Sequence, residues 1–548
     1  FGSSRACLAQ FLMLLTVMVT GLLGSATSQQ AGYVHTEENP PILLKHCNVA
    51  DGCTLEPSWV TIDAQWRWLH DGKEDYYHSC FEGVGWDRLH CLDPGKCARE
   101  CALDGSSTQD YRDVYGVKAI PGGVELKYVG GGSVGSRMYV LDGSRGDRYK
   151  LWKLKNREFS FDVDVSSLAC GLNGALYFVE MRADGGLGQG DNAAGAKFGT
   201  GYCDAQCPHD LKFIGGQCNV KGWHMTKSGP IGHYGSCCSE MDLWEANAMA
   251  TAFTAHPCET MGPRRCEGDG EPNVCGDTPE TCTCCDTPEA CPCCGRYKGV
   301  CDRDGCDYNP GRLGNTSFFG KGPQFTVDTT KPMTVVTQFI TSDGTDSGDL
   351  TEIRQLYVQN GKVIKSSAAT NVGDVKADSI TDDFCKAQKQ AFGNPDDFSR
   401  KGGLKAMGES LRRGMVLVLS LWDDALTKMV WLDSATPATK PVTTPGVKRG
   451  PCAVSAGDPA QLRAQNPSAS VTYSNIKFGE IGSTYGAAAQ RVAATPAMPA
   501  APAPLAPAAS GFGTPAGAAP GAAPMAMTPA MPAAPAPLAP AAMPAAPA

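Results

Sequence analysis

Three acids stand close together in the run Gly235-Ser236-Cys237-Cys238-Ser239-Glu240-Met241-Asp242-Leu243-Trp244-Glu245-Ala246-Asn247. Glu240 and Asp242 alternate with Met241 and Leu243, so a strand here would turn both carboxylates to one face and both apolar side chains to the other. Glu245 lies an odd number of residues from Glu240, and a regular strand would point it the wrong way. A bulge or bend near Trp244 is needed to bring it round, a device common beside active sites. Cleavage of a glycosidic bond requires one carboxylate as nucleophile and one carboxylic acid to protonate the leaving oxygen. The acid needs a raised pKa, and neighbouring negative charge is one way to raise it. Taken alone, the acidic triplet equally describes a solvated surface.

The elements that must position these acids read mostly as strands. Alternating or β-branched runs occur at Trp59 to Trp68, Glu158 to Val165, Ala175 to Met181, Gln324 to Thr330, Met333 to Ile340, Met415 to Leu421 and Ser470 to Phe478, with Gly-, Asn- and Asp-rich turns between them. Phe159, Phe161, Val163 and Val165 show the period of a strand with one face on a core. Helical periodicity is confined to Asp382–Phe392 and Gly403–Arg412. Many strands and few helices predict an all-β sandwich or barrel.

The chain has 548 residues and a formal charge of -9. That balance, with no Lys/Arg-rich block, argues against nucleic acid as a partner. Residues 1–28 read as a secretory signal whose start is incomplete: Arg5 precedes an apolar stretch from Leu8 to Leu23, and small residues follow it. No later segment is apolar for long enough to span a bilayer. There are 26 cysteines, an odd number once Cys7 leaves with the signal. Such density belongs to an oxidising compartment, so the protein is expected to be secreted and extracellular. Asn315-Thr316-Ser317 is a glycosylation sequon.

Residues 29–486 form the expected folded domain. Within it, residues 277–294 are a tandem duplication, DTPETCTCC followed by DTPEACPCC, whose six cysteines are expected to pair with one another rather than bind metal. Residues 487–548 are rich in Ala and Pro and read as a disordered or semi-extended tail.

The acidic run closely resembles the catalytic signature of glycoside hydrolase family 7, the cellobiohydrolases and endoglucanases. Further stretches share the resemblance: IDAQWRW from Ile62, FSFDVDVSSLACGLNGALYFV from Phe159, AGAKFGTGYCDAQCPHDLKF from Ala194, DGCDYNPGRLGNTSFFG from Asp304, FTVDTTKPMTVVTQF from Phe325, MVLVLSLWDD from Met415 and VTYSNIKFGEIGST from Val471. They run in order from about Leu43 to Thr484. The resemblance implies a β-jelly-roll, two curved antiparallel sheets with a long substrate groove partly roofed by loops. It implies hydrolysis of β-1,4-glucosidic bonds in cellulose with retention of configuration. Glu240 would be the nucleophile, Glu245 the acid/base, Asp242 the neighbour that tunes the nucleophile, and His256 a residue beside the acid/base. Trp68 matches a tunnel-entrance tryptophan, and Trp422 and Trp431 those near the cleavage and product sites. Tyr177, Asp204, Gln206 and Lys212 match central groove positions, and Arg312, Asp328, Asp423 and Arg449 product-side polar groups. Trp66, read as sharing a strand face with Trp68, is the tryptophan expected to serve core packing.

Family-like disulfides would be Cys47–Cys53, Cys80–Cys101, Cys91–Cys97, Cys170–Cys452, Cys203–Cys238, Cys207–Cys237, Cys258–Cys301, Cys266–Cys275 and Cys306–Cys385. Cys218 has no family partner and is the candidate odd thiol. Cys301 to Cys306, Trp422 to Trp431 and Pro441 to Arg449 keep the long loops of cellobiohydrolases, whereas Gly130 to Ser136 and His224 to Tyr234 are shorter. Gln355 stands where the family often has a product-site arginine, with Arg354 one position away. The expectation is a cellobiohydrolase releasing cellobiose from chain ends, with an endo-acting β-1,4-glucanase as the alternative and a silent glucan-binding protein as a more distant one. Cellulose and cello-oligosaccharides are the expected partners, and the chain is expected to act as a monomer. The chemistry requires no cofactor, and no metal motif stands out.

Overall fold

The computed structural model describes residues 30–71, 77–226, 229–267, 275–276 and 295–486. The expected signal, the cysteine duplication and the Ala/Pro tail lie outside the described residues.

Alternation of apolar side chains builds the strands that matter for the site. In chain order they are β1 (Pro41–Asn48), β2 (Gly52–Ile62), β3 (Ser136–Val140), β4 (Arg157–Asp164), β5 (Leu172–Val179), β6 (Glu240–Ala246), β7 (Thr251–His256), β8 (Cys306–Tyr308), β9 (Met333–Thr341), β10 (Leu350–Gln359), β11 (Lys362–Lys365), β12 (Met415–Asp423) and β13 (Ser470–Gly479). Hydrogen bonding runs continuously in the order β8-β7-β6-β5-β12-β3-β2-β1-β13-β4-β9-β10-β11. The long β2 turns the corner between two layers: Gly52 to Trp59 pair with β1, and Val60 to Ile62 pair with β3.

One large core fills the space between the layers. Phe159, Phe161, Val335 and Phe339 enter it from one sheet, and Leu176, Phe178, Met241, Leu417 and Leu419 from the other. Each such side chain contributes roughly 1.5–3 kcal/mol by leaving water. On β12 the intervening Val416 and Val418 face the opposite side, in a second cluster with Tyr139, Ala175 and Tyr177. This outer face of the β8-to-β3 sheet carries the cleft. The arrangement is the all-β sandwich that the strand pattern predicts.

Two helices buttress one end. α1 (Asp382–Phe392) starts on Thr381, whose side chain accepts the Phe384 N–H, and stops at Gly393 in the left-handed conformation. α2 (Gly403–Arg413) buries Leu404, Met407 and Leu411 along one stripe. Nine disulfides tie the described residues, and each joins a pair named above. Cys218 is a free, buried thiol. Among the described residues no helix is long and apolar enough to cross a membrane.

Two expected strands are shorter than the sequence pattern suggests. The run from Trp59 ends as strand at Ile62, because Asp63 accepts the Gln65 N–H and the Arg67 side chain donates to the Ile62 carbonyl, turning the chain. Trp66 and Trp68 therefore do not share a strand face. Between Gln324 and Thr330 only Val327–Asp328 is strand. There the Asp328 carboxylate accepts N–H groups from Gly322 and Thr330, which curls the backbone.

Candidate active site

The wall that carries the three acids is β6, held between β5 and β7. Against β5, Leu176 pairs with Trp244 and Tyr177 with Asp242, leaving Leu243 as an extra residue. Against β7 the register shifts between Asp242 and Glu245 as well. This is a β-bulge at Leu243–Trp244, and both side chains bury into the core. It returns Glu245 to the face that already carries Glu240 and Asp242. All three carboxylates line one cleft of about 780 Å³.

Each acid is held by a different part of the fold. Glu240 accepts the Ala205 N–H at 3.1 Å. Glu245 accepts from the Asn173 side-chain amide at 3.0 Å. Asp242 lies 3.1 Å from His256 Nε2, and His256 Nδ1 lies 2.8 Å from the Asp302 carbonyl oxygen. A carbonyl can only accept, so Nδ1 carries a hydrogen. The proton between Nε2 and Asp242 then makes the pair an imidazolium facing a carboxylate. Gly305, at φ +63°, is packed so tightly on this ring that a Cβ there would stand 2.6 Å from His256 Cε1.

Burial first, and then the negative charge of Asp242, pushes the Glu240 carboxyl well above the usual carboxylate range; Asp204 adds to it. Glu245 is raised well above that range by burial and by Asp242. Burial opposes charge on His256, but the hydrogen bond and charge of Asp242 outweigh it and lift the ring to about 9. The centre thus holds a proton on at least one buried carboxyl while His256 balances Asp242.

Around this centre Tyr177 and Tyr202 join hydroxyls at 2.8 Å, and the Gln206 amide donates to the Arg303 carbonyl. Tyr177, Asp204 and Gln206 all line the cleft. Burial raises Asp204. At one end Trp422 and Trp431 present rings with centroids 6.4 Å apart and 31° between planes. Asp423 is taken up by Tyr128 and Arg463. Arg312 pairs with Asp307, and Arg449 Nη1 lies 3.6 Å from the same carboxylate. Burial would raise Asp307, but Arg312 and Arg449 outweigh it and hold it below its usual range. The Nε of Arg449 is buried with no hydrogen-bond partner among the described residues. Burial and the adjacent Arg312 lower the Arg449 guanidinium to about 9.

Three predicted residues stand outside the cleft lining. Trp68 donates Nε1–H to Ser79 and packs 4.3 Å from the His70 ring. Lys212 donates to the Gln65 carbonyl, and burial lowers its ammonium to about 8. Asp328 is spent on its own turn. Trp66 packs against the core, as expected of it, and also lines the cleft, with the Arg137 guanidinium over its ring. Gln355 is fully buried under β6, donating to the Leu243 carbonyl, while Arg354 pairs with Glu352 at the surface; neither lines the cleft. Asn173, the Ala205 N–H, the Asp302 carbonyl, Arg137 and Tyr202 were not singled out by sequence. Two of these act through backbone atoms, which no residue type announces. Asn173, between leucine and glycine on a core strand, is the kind of polar intrusion that could have been noticed.

The chain matches the model of glycosyl hydrolase family 7 over residues 31–485. Among solved structures it is similar to a family 7 cellobiohydrolase from Daphnia pulex at 45% identity and a TM-score of 0.78, covering 83% of this chain and 100% of that one. A cellobiohydrolase from Melanocarpus albomyces, solved with cellotetraose, shows 40% identity and a TM-score of 0.74, covering 83% and 99%. The Humicola insolens endocellulase shows 33% identity and a TM-score of 0.67, covering 83% and 100%. With Glu240 and Glu245 set on one face of a bulged strand along an aromatic cleft, the chain belongs to glycosyl hydrolase family 7.

Proposed function

We propose that this protein hydrolyses β-1,4-glucosidic bonds of cellulose with retention of configuration, releasing cellobiose successively from chain ends. The observation that carries the reading is that Glu240 and Glu245 stand on one wall of the cleft, with Asp242, ion-paired to His256, between them on the same strand. In the first step the Glu240 carboxylate attacks the anomeric carbon as the bond to the leaving oxygen breaks, and the Glu245 carboxyl gives that oxygen its proton. In the second step Glu245 takes a proton from water, and the water oxygen displaces Glu240. One water is consumed and both carboxyls return to their starting states. His256, held cationic, neutralises Asp242, so that Glu240 can ionise despite its burial. The Ala205 N–H favours the same ionised form.

Trp422 and Trp431 offer flat apolar faces to the C–H faces of pyranose rings, while Arg312 and Arg449 supply donors to hydroxyls. Three segments, Arg296 to Asp304, Trp422 to Trp431 and Thr436 to Arg449, contribute lining residues. That concentration of loop around the tryptophan end favours chain-end over internal cutting. The disulfides and the leader-like start favour an extracellular site of action, as a monomer glycosylated at Asn315.

The test is product analysis on crystalline cellulose beside the Glu240→Gln variant, with the anomer formed first read by NMR. Soluble cellobiose as the β-anomer, absent from the variant, is expected. Abundant new ends on the solid with mixed oligomers would replace chain-end release by internal cutting, and the α-anomer would overturn retention.

A further inference from the structure

Beyond the cleft, a cluster of aromatic rings lies on two loops that the catalytic chemistry does not use. Phe81, Trp86 and Trp223 are each half-buried and meet edge to face, with centroids 5.1 Å apart for Phe81–Trp86, 5.7 Å for Phe81–Trp223 and 5.8 Å for Trp86–Trp223. The Trp223 indole N–H donates to the Val84 carbonyl at 2.8 Å, which fixes one ring relative to the opposite loop. Apolar side chains flank the cluster in sequence and are strongly exposed: Leu89 at 68%, Leu92 at 70% and Met225 at 48%. Single exposed leucines are ordinary, but three exposed apolar side chains within a few residues of two half-buried tryptophans make these two loops unusually apolar. The loop that carries Leu89 and Leu92 is braced by the Cys80–Cys101 and Cys91–Cys97 disulfides, so the patch is presented on a stiff support.

The ring cluster lies near the cleft. Gln65 links them: its amide donates to the carbonyl of Asp210, which lines the cleft, and its own carbonyl accepts from Lys212. The Lys212 ammonium lies 4.7 Å from the Phe81 ring centroid. Trp66, next to Gln65, lines the cleft itself. The buried Lys212 therefore joins the segment that carries Trp66 in the cleft wall to Phe81 in the ring cluster.

We propose that this ledge is a second glucan-binding site, one that docks the apolar face of crystalline cellulose beside the cleft. The proposal rests on the cellulose reading above and adds to it a place where the solid, rather than a single threaded chain, is held. The occupant follows from chemistry and from nearness to the cleft. A sheet of glucan chains is neutral and exposes rows of pyranose C–H faces, which suit aromatic and aliphatic side chains. It is also the surface from which a chain entering the cleft would be drawn.

The experiment uses the full chain carrying Glu240→Gln, so that nothing is turned over, with crystalline cellulose and soluble cellotetraose as probes. Two variants are compared on that background: Leu89→Asp/Leu92→Asp, which changes only exposed side chains, and Trp223→Ala. Each is expected to lower the partition onto crystalline cellulose roughly five-fold, the scale of one lost aromatic contact, and to leave the cellotetraose Kd unchanged. Adsorption unchanged in both variants would overturn the ledge and leave the hydrolase reading standing. So would cellotetraose affinity falling in parallel with adsorption, since the variants would then be acting through the cleft. Failure of the Glu240→Gln background to bind either probe would overturn the cellulose reading and the ledge together.

Discussion

Replacing Asp242 by Asn should collapse the basicity of His256. In the native site two opposed effects act on the ring: burial disfavours the imidazolium, and Asp242, 3.1 Å from Nε2, favours it more strongly, with a result of about 9. Removing the carboxylate charge leaves burial unopposed by its chief counterweight, so His256 should titrate at or below the ordinary value of 6.5. A displacement of two units or more corresponds to about 3 kcal/mol between protonation states. The sign for stability follows from the same shift. A histidine raised in the folded state stabilises it fully below 6.5, and that contribution is lost as pH rises through about 9. The assay is histidine-selective NMR over pH 5 to 10, with the resonance identified by its absence from His256→Gln. The chain has nine histidines, so the spectrum is tractable. The alkaline limb of kcat/KM on a soluble substrate should move down in Asp242→Asn as the ring does. A wild-type His256 that titrates below 7, or one that stays near 9 in Asp242→Asn, would refute the reasoning.

Glu240→Gln and Glu245→Gln should each reduce kcat on cellulose by roughly 10³-fold or more, but differently on an activated aryl glycoside. Its leaving group needs no proton, so Glu245→Gln should retain a fast first step, seen as a burst, and Glu240→Gln should show none. Gly305→Ala forces a Cβ to within 2.7 Å of His256 Nδ1 and should cost about 1–3 kcal/mol in thermal or denaturant unfolding, with a shifted alkaline limb. Arg449→Met removes one of the two guanidiniums that balance the buried Asp307, so Tm should fall while cellobiose inhibits more weakly, read as Tm and Ki. Cys218 is buried, and its thiol is pushed up by burial and nearby acids, so it should resist a thiol reagent at pH 8 until the protein unfolds.

What the sequence made legible was what repeats with a period. The alternation in Phe159 to Val165 placed Phe159, Phe161 and Val163 in the core, and the stripe in Asp382–Phe392 ended where α1 ends. The odd spacing of Glu245 demanded a bulge, and the bulge is at Leu243–Trp244. Less legible were contacts made by backbone. The Asp302 carbonyl that fixes the His256 tautomer and the Ala205 N–H that meets Glu240 could have been offered by any residue type. Local turns also defeated the pattern. Asp63 and Asp328 each captured nearby N–H groups and ended strands that β-branched neighbours would have continued. The first of those turns separated the faces of Trp66 and Trp68, because a side chain's direction after a turn is no longer set by strand parity, and Trp66 both packs on the core and lines the cleft.

The bulge in β6 governs facing rather than reach. Leu243 and Trp244 together oppose single residues on both neighbouring strands. Removing Leu243 would restore an even alternation, with Trp244 still inward and Glu245 still outward. The two glutamates would then keep both their wall and their spacing, because Glu240 and Glu245 already stand opposite Val179 and Ala175, four residues apart on β5. Leu243 is therefore chain length that the bulge absorbs. Losing the bulge while keeping Leu243 would turn Glu245 into the core, whereas losing both together would leave the acidic face intact. The position works as a frame-keeping point, where an inserted or deleted residue, rather than a changed side chain, decides whether Glu245 reaches the cleft.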